Sequence, residues 1–399
     1  AIWGQTLISV EDALKKIFRI LPKNGNEKIS LLNACGRVLA KDVLAKNDQP
    51  PFSTSAMDGY VISDPAPRVG SSYNLVGEVS AGSTFSGVLG NGEAIRIFTG
   101  APIPVGGKRV IIQENMVIKY NTVTINELNG NETFIRKIGS DFKSGQIFET
   151  PKVLTPFHLS LIASMNSSEV TVYKKPTVAI ISTGDELVIP GEKRSASQII
   201  SSNSFGIYSR LVLAGANPRL LPIAKDTESS LKSILELAMG SDIIVTVGGA
   251  SVGDYDLVKK VLKTVGMKPE FEKVAMRPGK PLFAGKLNKS AVVGLPGNPV
   301  SSLICTEIFL VPAINHFLNM SSNSREVINV KSAKTIPKNG PREHYMRANY
   351  DTLTKLVSVE DRQDSSLLSV LVNSNSLVVR KPNSPQIKKG QLVPTILLN

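Results

Sequence analysis

Four carboxylates and three glycine-bearing loops stand where a folded sheet would gather them. The apolar run 178–182 leads into Thr183-Gly184-Asp185-Glu186, and Ile243–Val247 leads into Gly248-Gly249-Ala250-Ser251-Val252-Gly253-Asp254. Glycines there let backbone N–H groups approach an oxyanion, and Ser251 can add a hydroxyl. Tight βα turns would account for any one of these loops equally well. A third loop, Gly294-Leu295-Pro296-Gly297-Asn298-Pro299, puts Pro299 in a first helical turn with Asn298 as N-cap. The positive end of that helix can hold phosphate. Asp185, Glu186, Asp254 and Asp256 sit on the same loops. Carboxylates crowded beside an anion are costly unless a cation neutralises them, and Mg²⁺ held by one or two carboxylates is the usual solution. Alternatively one of them orients or deprotonates a water, and Asp254 can simply cap its helix.

A basic element follows the second loop. Lys273, Arg277 and Lys280 fall within eight positions, stiffened by Pro278, Gly279 and Pro281. That set suits a multiply charged oxyanion, although a solvated surface loop is the plainer reading. Three further segments, 55–60 with Asp58-Gly59, 98–102 with Thr99, and 139–142 with Asp141, read individually as turns.

The elements that must position these groups change character along the chain. Ser9 caps a helix whose apolar stripe is Ala13, Leu14, Ile17, Phe18 and Leu21, stopped by Pro22. A strand is expected at 38–45, a second helix after Thr155 with Pro156 in its first turn, and a strand at 169–173. Residues 47–142 between them carry short β-like runs (73–79, 94–99, 110–112, 122–125, 133–138) parted by Gly, Asn and Pro. From 178 onward, strands at 178–182, 220–224, 243–247 and 291–295 alternate with helices near 205–214, 229–239, 257–265 and 300–317. Such alternation predicts a doubly wound, mainly parallel α/β sheet, with ligands beyond the carboxyl ends of its strands. After Ser321 short strands return, predicting a small β domain. The expected domains are 1–46 with 143–175 (helical and mixed), 47–142 (β-rich insertion), 176–320 (α/β) and 321–399 (β).

Bulk numbers exclude several classes. Two cysteines, Cys35 and Cys305, without a C-x-x-C pair, and three scattered histidines leave no material for a disulfide scaffold, a structural zinc site or a Cys–His nucleophile. A metal here would be a hard cation on oxygen, and a reducing cytoplasm fits. Apolar runs are too short for a bilayer and no secretory signal is visible, so no membrane role is expected. The net charge of +13 favours anionic partners. Its basic pairs, such as Lys388-Lys389, are not the long tracts of a nucleic-acid arm.

Taken together, six segments in register carry a resemblance. Ser-Ala-Met-Asp-Gly-Tyr at 55–60, Phe-Thr-Gly-Ala-Pro-Ile-Pro at 98–104, Ser-Thr-Gly-Asp-Glu-Leu at 182–187, Gly-Gly-Ala-Ser-Val-Gly-Asp at 248–254, Arg-Pro-Gly-Lys-Pro at 277–281 and Leu-Pro-Gly-Asn-Pro-Val-Ser at 295–301 occur in order. The chain resembles the MoeA-type molybdopterin molybdenumtransferases, a family that includes the gephyrin E-domain. The resemblance implies four domains, with a central molybdopterin-binding α/β domain, a β-rich lid and a C-terminal β-barrel-like domain. It implies an elongated homodimer whose cleft is shared between subunits, and a molybdopterin adenylyltransferase as a partner that hands over the pterin.

The implied reaction takes adenylylated molybdopterin and molybdate, transfers molybdenum to the pterin dithiolate and releases AMP, with Mg²⁺ as the ion. Carried over as the polar cleft set are Asp58, Thr99, Asp141, Glu186 and Asp256, of which Glu186 and Asp256 would hold metal or water. Substrate binding is implied for Gly184, Asp185, Gly248, Gly249, Ser251, Lys273, Arg277, Lys280, Pro296, Asn298, Pro299, Arg347 and Ser365. Arg277 stands where a Lys is common in the family, and His344 is atypical. Rival readings are a molybdopterin adenylyltransferase, which lacks the β-insertion and C-terminal β domain, and a non-catalytic dimeric scaffold of the gephyrin kind.

Overall fold

A run such as Ile243–Val247, apolar at every position but one, has no polar face to give to water and must be covered on both sides. The computed structural model describes residues 7–248, 252–320 and 326–398, with backbone alone at 252–256. Contacts divide the chain into two units, Lys28–Val172 and Ala1–Glu27 with Tyr173–Asn399.

In the larger unit a six-stranded sheet runs Asn217–Leu220, Thr177–Ser182, Ile243–Val247, Ser290–Leu295, Phe283–Leu287, Lys268–Phe271. Its first four strands are parallel, as expected, and the last two antiparallel. Helices Glu228–Ala238 and Val252–Thr264 pack one face against Ala179, Ile181, Ile244 and Val292. Helices Val10–Ile20, Asn203–Leu213 and Pro299–Phe317 cover the other.

The strand expected at 220–224 pairs regularly only over Asn217–Leu220. Leu221 N–H still bonds the Ile180 carbonyl at 3.0 Å, but the next donor is Ala224 N–H, to the Ser182 carbonyl at 2.9 Å, so one extra residue is inserted at Pro222–Ile223 before the ladder resumes with the Thr183–Ala224 bridge. The antiparallel hairpin 283–295 was not foreseen. It depends on Gly294, where an added Cβ would lie 1.9 Å from the Phe283 ring directly opposite.

Pro299–Phe317 is long and apolar enough to cross a membrane, but 78% of it is buried, which makes it the core helix of this unit. It widens to a π turn at Thr306–Leu310, just ahead of Pro312, whose ring cannot continue the α-helical ladder.

The helix capped by Ser9 forms as read from sequence, Val10–Ile20, with the Ser9 hydroxyl accepting from Asp12 N–H at 3.0 Å. Its domain assignment is corrected. Phe18 stacks on His316 at 4.5 Å, Arg19 pairs with Glu270, and Ile8 bridges to Val274, so the helix belongs with the α/β unit and not with 143–175.

The C-terminal strands close a five-stranded barrel: Glu343–Asp351, Leu356–Val359, Val327–Ser332, Leu392–Leu397, Ser376–Arg380 and back to Glu343–Asp351. Met346, Ala348 and Tyr350 point into its core with Val357 and Val378. The two-residue period of a strand therefore turns Glu343, Tyr345 and Arg347 outward.

In the smaller unit a six-stranded sheet has the order Arg109–Ile112, Gly59–Ile62, Glu93–Ile97, Ser72–Val79, Thr122–Ile125, Met116–Lys119. A four-stranded sheet, Asn26–Ser30, Glu169–Tyr173, Val38–Leu39, Lys152–Val153, packs with helix Pro156–Ser164. Two expectations change here. The strand at 38–45 splits into Val38–Leu39 and Val43–Leu44, and of 133–138 only Ile135–Arg136 pairs as strand.

Candidate functional site

The basic element becomes one wall of a cavity. Met276–Arg277 adds as a parallel strand to the edge of the barrel, with Arg277 opposite His344. The chain then turns back through Gly279, φ +110°, where an added Cβ would lie 2.5 Å from Cys305 Sγ. Val274 N–H closes the loop on the Lys280 carbonyl at 3.0 Å. Beside it starts the helix Pro299–Cys305.

Asn298 stands at the N-cap as expected, but its side chain does not cap. It donates instead to Ser365 Oγ at 3.1 Å, while Val300 N–H donates to the Ser365 carbonyl at 3.1 Å. A barrel loop is thus fastened to a helix N-terminus, and the two enclose a cavity of about 340 Å³ with the Arg277–Pro281 turn. Arg277, Lys280 and Arg342 supply cations to its wall, Asn298, Ser301, Gln363 and Ser365 supply polar groups, and Asp364 supplies a carboxylate.

Arg347, expected to touch substrate, is a correction. Its side chain is 1% exposed and its guanidinium donates to the Leu367 carbonyl at 3.3 Å. Gln363 bonds both the N–H and the carbonyl of Arg347. The residue therefore holds the loop 360–367 from beneath and does not line the cavity. Arg342, which sequence reasoning passed over, lines it instead. The surroundings are strongly positive: burial, then Arg277, Arg342, Arg347 and Arg380, push the His344 imidazole down to about 4.

The strand-end loops keep their position and lose part of their expected chemistry. Gly184 N–H goes to the Ala224 carbonyl at 3.1 Å and Gly248 N–H to the Leu295 carbonyl at 3.3 Å. Both are last rungs of the parallel ladder, so these two N–H groups are already bonded and do not point free at a ligand. The Glu186 carboxylate lies against Gly184, where an added Cβ would meet Glu186 Oε2 at 2.4 Å. Asp185 is half committed: its carboxylate accepts from Asp226 N–H and Asp226 returns the bond, each at 3.1 Å. Asp226 was not foreseen.

Gly249 and Ser251 lie outside the described residues, as does the side chain of Asp256. Among the described residues no group of three or more His, Cys, Asp or Glu forms a metal cage. Magnesium needs less, since it keeps waters and takes substrate phosphates alongside one or two carboxylates. Glu186 suits that limited role. Pro296 is buried and Pro299 half-buried under the cavity loop, while Lys273 is exposed and outside the cavity wall.

In the smaller unit Asp58 and Thr99 meet. Thr99 donates both its N–H, at 2.7 Å, and its hydroxyl, at 2.9 Å, to Asp58 Oδ1. These bonds, with Arg96 nearby, hold the exposed carboxyl below the ordinary aspartate range. Arg96 is itself clamped over the rings of Tyr60 and Phe98, at 5.0 and 4.8 Å. The turn reading of Asp58-Gly59 is corrected. Gly59 begins the strand Gly59–Ile62, and an added Cβ would fall 2.0 Å from the Ile111 carbonyl oxygen. Asp141 lies on a separate turn, exposed, its N–H bonded to the Gln49 carbonyl at 2.9 Å.

Comparison with known proteins matches nearly the whole chain. Residues 8–166 match the MoeA N-terminal region (domain I and II), 179–316 a probable molybdopterin binding domain, and 329–398 the MoeA C-terminal region (domain IV). A molybdopterin molybdenumtransferase of Haemophilus influenzae is 31% identical, covering 97% of this chain and 98% of its own. One from a Nostoc species is 32% identical, covering 98% and 94%. The crystal structure of a molybdopterin biosynthesis MoeA protein from Pyrococcus horikoshii superposes with a TM-score of 0.85 at 24% identity, covering 99% and 100%, and so shares the fold.

Proposed function

Since the chain belongs to the MoeA family of molybdopterin molybdenumtransferases, we propose that it inserts molybdenum from molybdate into the dithiolate of adenylylated molybdopterin and releases AMP. The observation that carries the reading is the cavity walled by Arg277, Lys280 and Arg342. Three cations around a small polar space suit a tetrahedral dianion, and the planar Arg forks can take two oxygens at once. Molybdate is substrate here. The sulfurs that receive the metal come from the pterin, which agrees with the shortage of cysteine: Cys305 is buried, its thiol pushed up by desolvation, and cannot serve as ligand.

Roles follow from position. Arg277, Lys280, Asn298 and Ser365 would seat the oxyanion. The loops at Gly184–Glu186 and 248–254 would carry the pterin phosphates at the carboxyl ends of the parallel strands. Glu186 and Asp256 would share Mg²⁺, which when bound would offset phosphoanhydride charge. In a homodimer Asp58, Thr99 and Asp141 would act from the partner subunit. Asp58 serves there as an anion, since Thr99 keeps it ionised. A molybdopterin adenylyltransferase would supply the substrate.

The experiment is AMP release from adenylylated molybdopterin by purified protein with molybdate and Mg²⁺. Release that requires molybdate, and is lost in Lys280→Ala, supports the proposal. Folded protein that consumes ATP with free molybdopterin, and releases no AMP from the adenylylated form, refutes it in favour of adenylyl transfer.

A further inference from the structure

The oxyanion cavity contains one residue of the wrong sign. Its wall has three cations, Arg277, Lys280 and Arg342, and one carboxylate, Asp364, a net formal charge of +2. Asp364 is held in place by Ser366, its Oδ1 accepting from the Ser366 N–H at 2.8 Å and the Ser366 hydroxyl at 2.6 Å, and its charge also favours the ionised guanidinium of Arg347 beneath the loop. Those bonds, helped by Arg347 and Arg362, hold its carboxyl below the ordinary range, so it stays charged at neutral pH. The same loop is pinned by Gln363 to Arg347 and by Ser365 to Asn298 and Val300, which fixes the negative charge in the cavity wall.

We propose that Asp364 is a specificity-determining residue of the oxyanion cavity, setting its net charge to that of a dianion and discriminating by ligand charge. The inference rests on the oxyanion reading of the cavity above. Its physical basis is that a fixed negative charge penalises a ligand in proportion to the ligand's own charge, whereas size and shape are left to the cations and the helix N-terminus. Both substrates of the reaction are anions, and the pterin pyrophosphate carries more charge than molybdate. A wall with three cations and no carboxylate would hold the wrong phosphate, and would release molybdate slowly toward the pterin. Coulomb's law for an exposed charge at about 7 Å in a water-like medium gives a penalty of roughly threefold in affinity per unit of ligand charge. A dianion therefore loses roughly the square of what a monoanion loses, about ninefold against about threefold.

Molybdate and perrhenate test this, because both are tetrahedral and close in size but carry two charges and one. Calorimetric titration of full-length wild-type protein and of Asp364→Asn, with each anion at low salt, reads the effect. Asn keeps the acceptor that Ser366 uses, and Asp364→Ser gives a second charge-free variant with a different side chain. The expected result is that both variants tighten molybdate about ninefold and perrhenate about threefold, with the difference shrinking as salt rises. Equal tightening of the two anions, no change, or weaker binding overturns the role of Asp364.

Lys280→Ala in the same titration separates this from the underlying reading. A loss of molybdate binding there, together with an Asp364→Asn effect that ignores charge, removes only the specificity role. Molybdate binding that Lys280→Ala leaves unaltered removes the oxyanion cavity itself.

Discussion

The Asp58 corner and the Arg277 cavity hold charge in opposite ways. Asp58 is an exposed carboxylate kept ionised by two bonds from one neighbour, Thr99, at the start of an interior strand. The cavity concentrates positive charge at the outer wall of a barrel, over buried Arg347 and Arg380. The first arrangement is local and should forgive changes elsewhere in its unit. The second depends on buried supports, because like charges stay together only where packing and carbonyl acceptors over-determine them.

The largest effects should come from removing the reactive groups themselves. Asp58→Asn and Lys280→Ala are each expected to lower AMP release by 100-fold or more, on the order of losing one preorganised charge at a transition state. Mixing the two inactive variants after subunit exchange should restore about a quarter of wild-type activity if the corner and the cavity act across a homodimer. No recovery would place both in one subunit or neither.

Next come the supports. Arg347→Ala should destabilise the protein by about 4 kcal/mol, measured by denaturant melting, since it empties a fully buried site and strands the Leu367 carbonyl. It should also abolish anion binding by freeing the loop 360–367. Gly59→Ala should cost about 3 kcal/mol, because the Ile111 carbonyl opposite it is backbone and has nowhere to move. That variant should disturb the Asp58 corner and leave anion binding intact.

A smaller effect reports the field. His344 stays neutral in the fold down to about 4, against about 6.5 when unfolded. Between those values the unfolded chain binds more protons, so stability should fall as pH drops from about 6.5 toward 4, by roughly 2–3 kcal/mol at the bottom. His344→Gln should flatten this slope. Molybdate in the cavity should raise the His344 value in a proton NMR titration, whereas an anion seated elsewhere should leave it fixed. The least effect is that of Thr99→Ala, which should move the Asp58 carboxyl upward toward the ordinary range in a carbon NMR titration. An unmoved value would show that Arg96 and the remaining Thr99 N–H suffice.

The same contrast explains what the sequence disclosed. The strand-end loops were legible because period and glycine placement are local signals, and Arg277-Pro-Gly-Lys280-Pro stood out as cations stiffened by proline. Ser365 was reached only through the family resemblance. Arg342 and Asp364 were passed over because they read as ordinary surface polar residues until barrel closure brings them against 277–281. Arg347 was misplaced for a related reason. Strand parity separates it from Met346 and Ala348 in the barrel core, but nothing in the chain says that the outer face is also covered. The Asp58-Gly59 pair misled in a different way: the dipeptide suits a hairpin turn, and only the close approach of Ile111 shows that glycine is needed inside a sheet.

The most direct test is a crystal soaked with molybdate and examined by anomalous scattering at the molybdenum edge. The account predicts a single strong peak within hydrogen-bonding distance of Arg277, Lys280 and Arg342. A peak confined to the strand-end loops at Glu186, with that cavity empty, would contradict it.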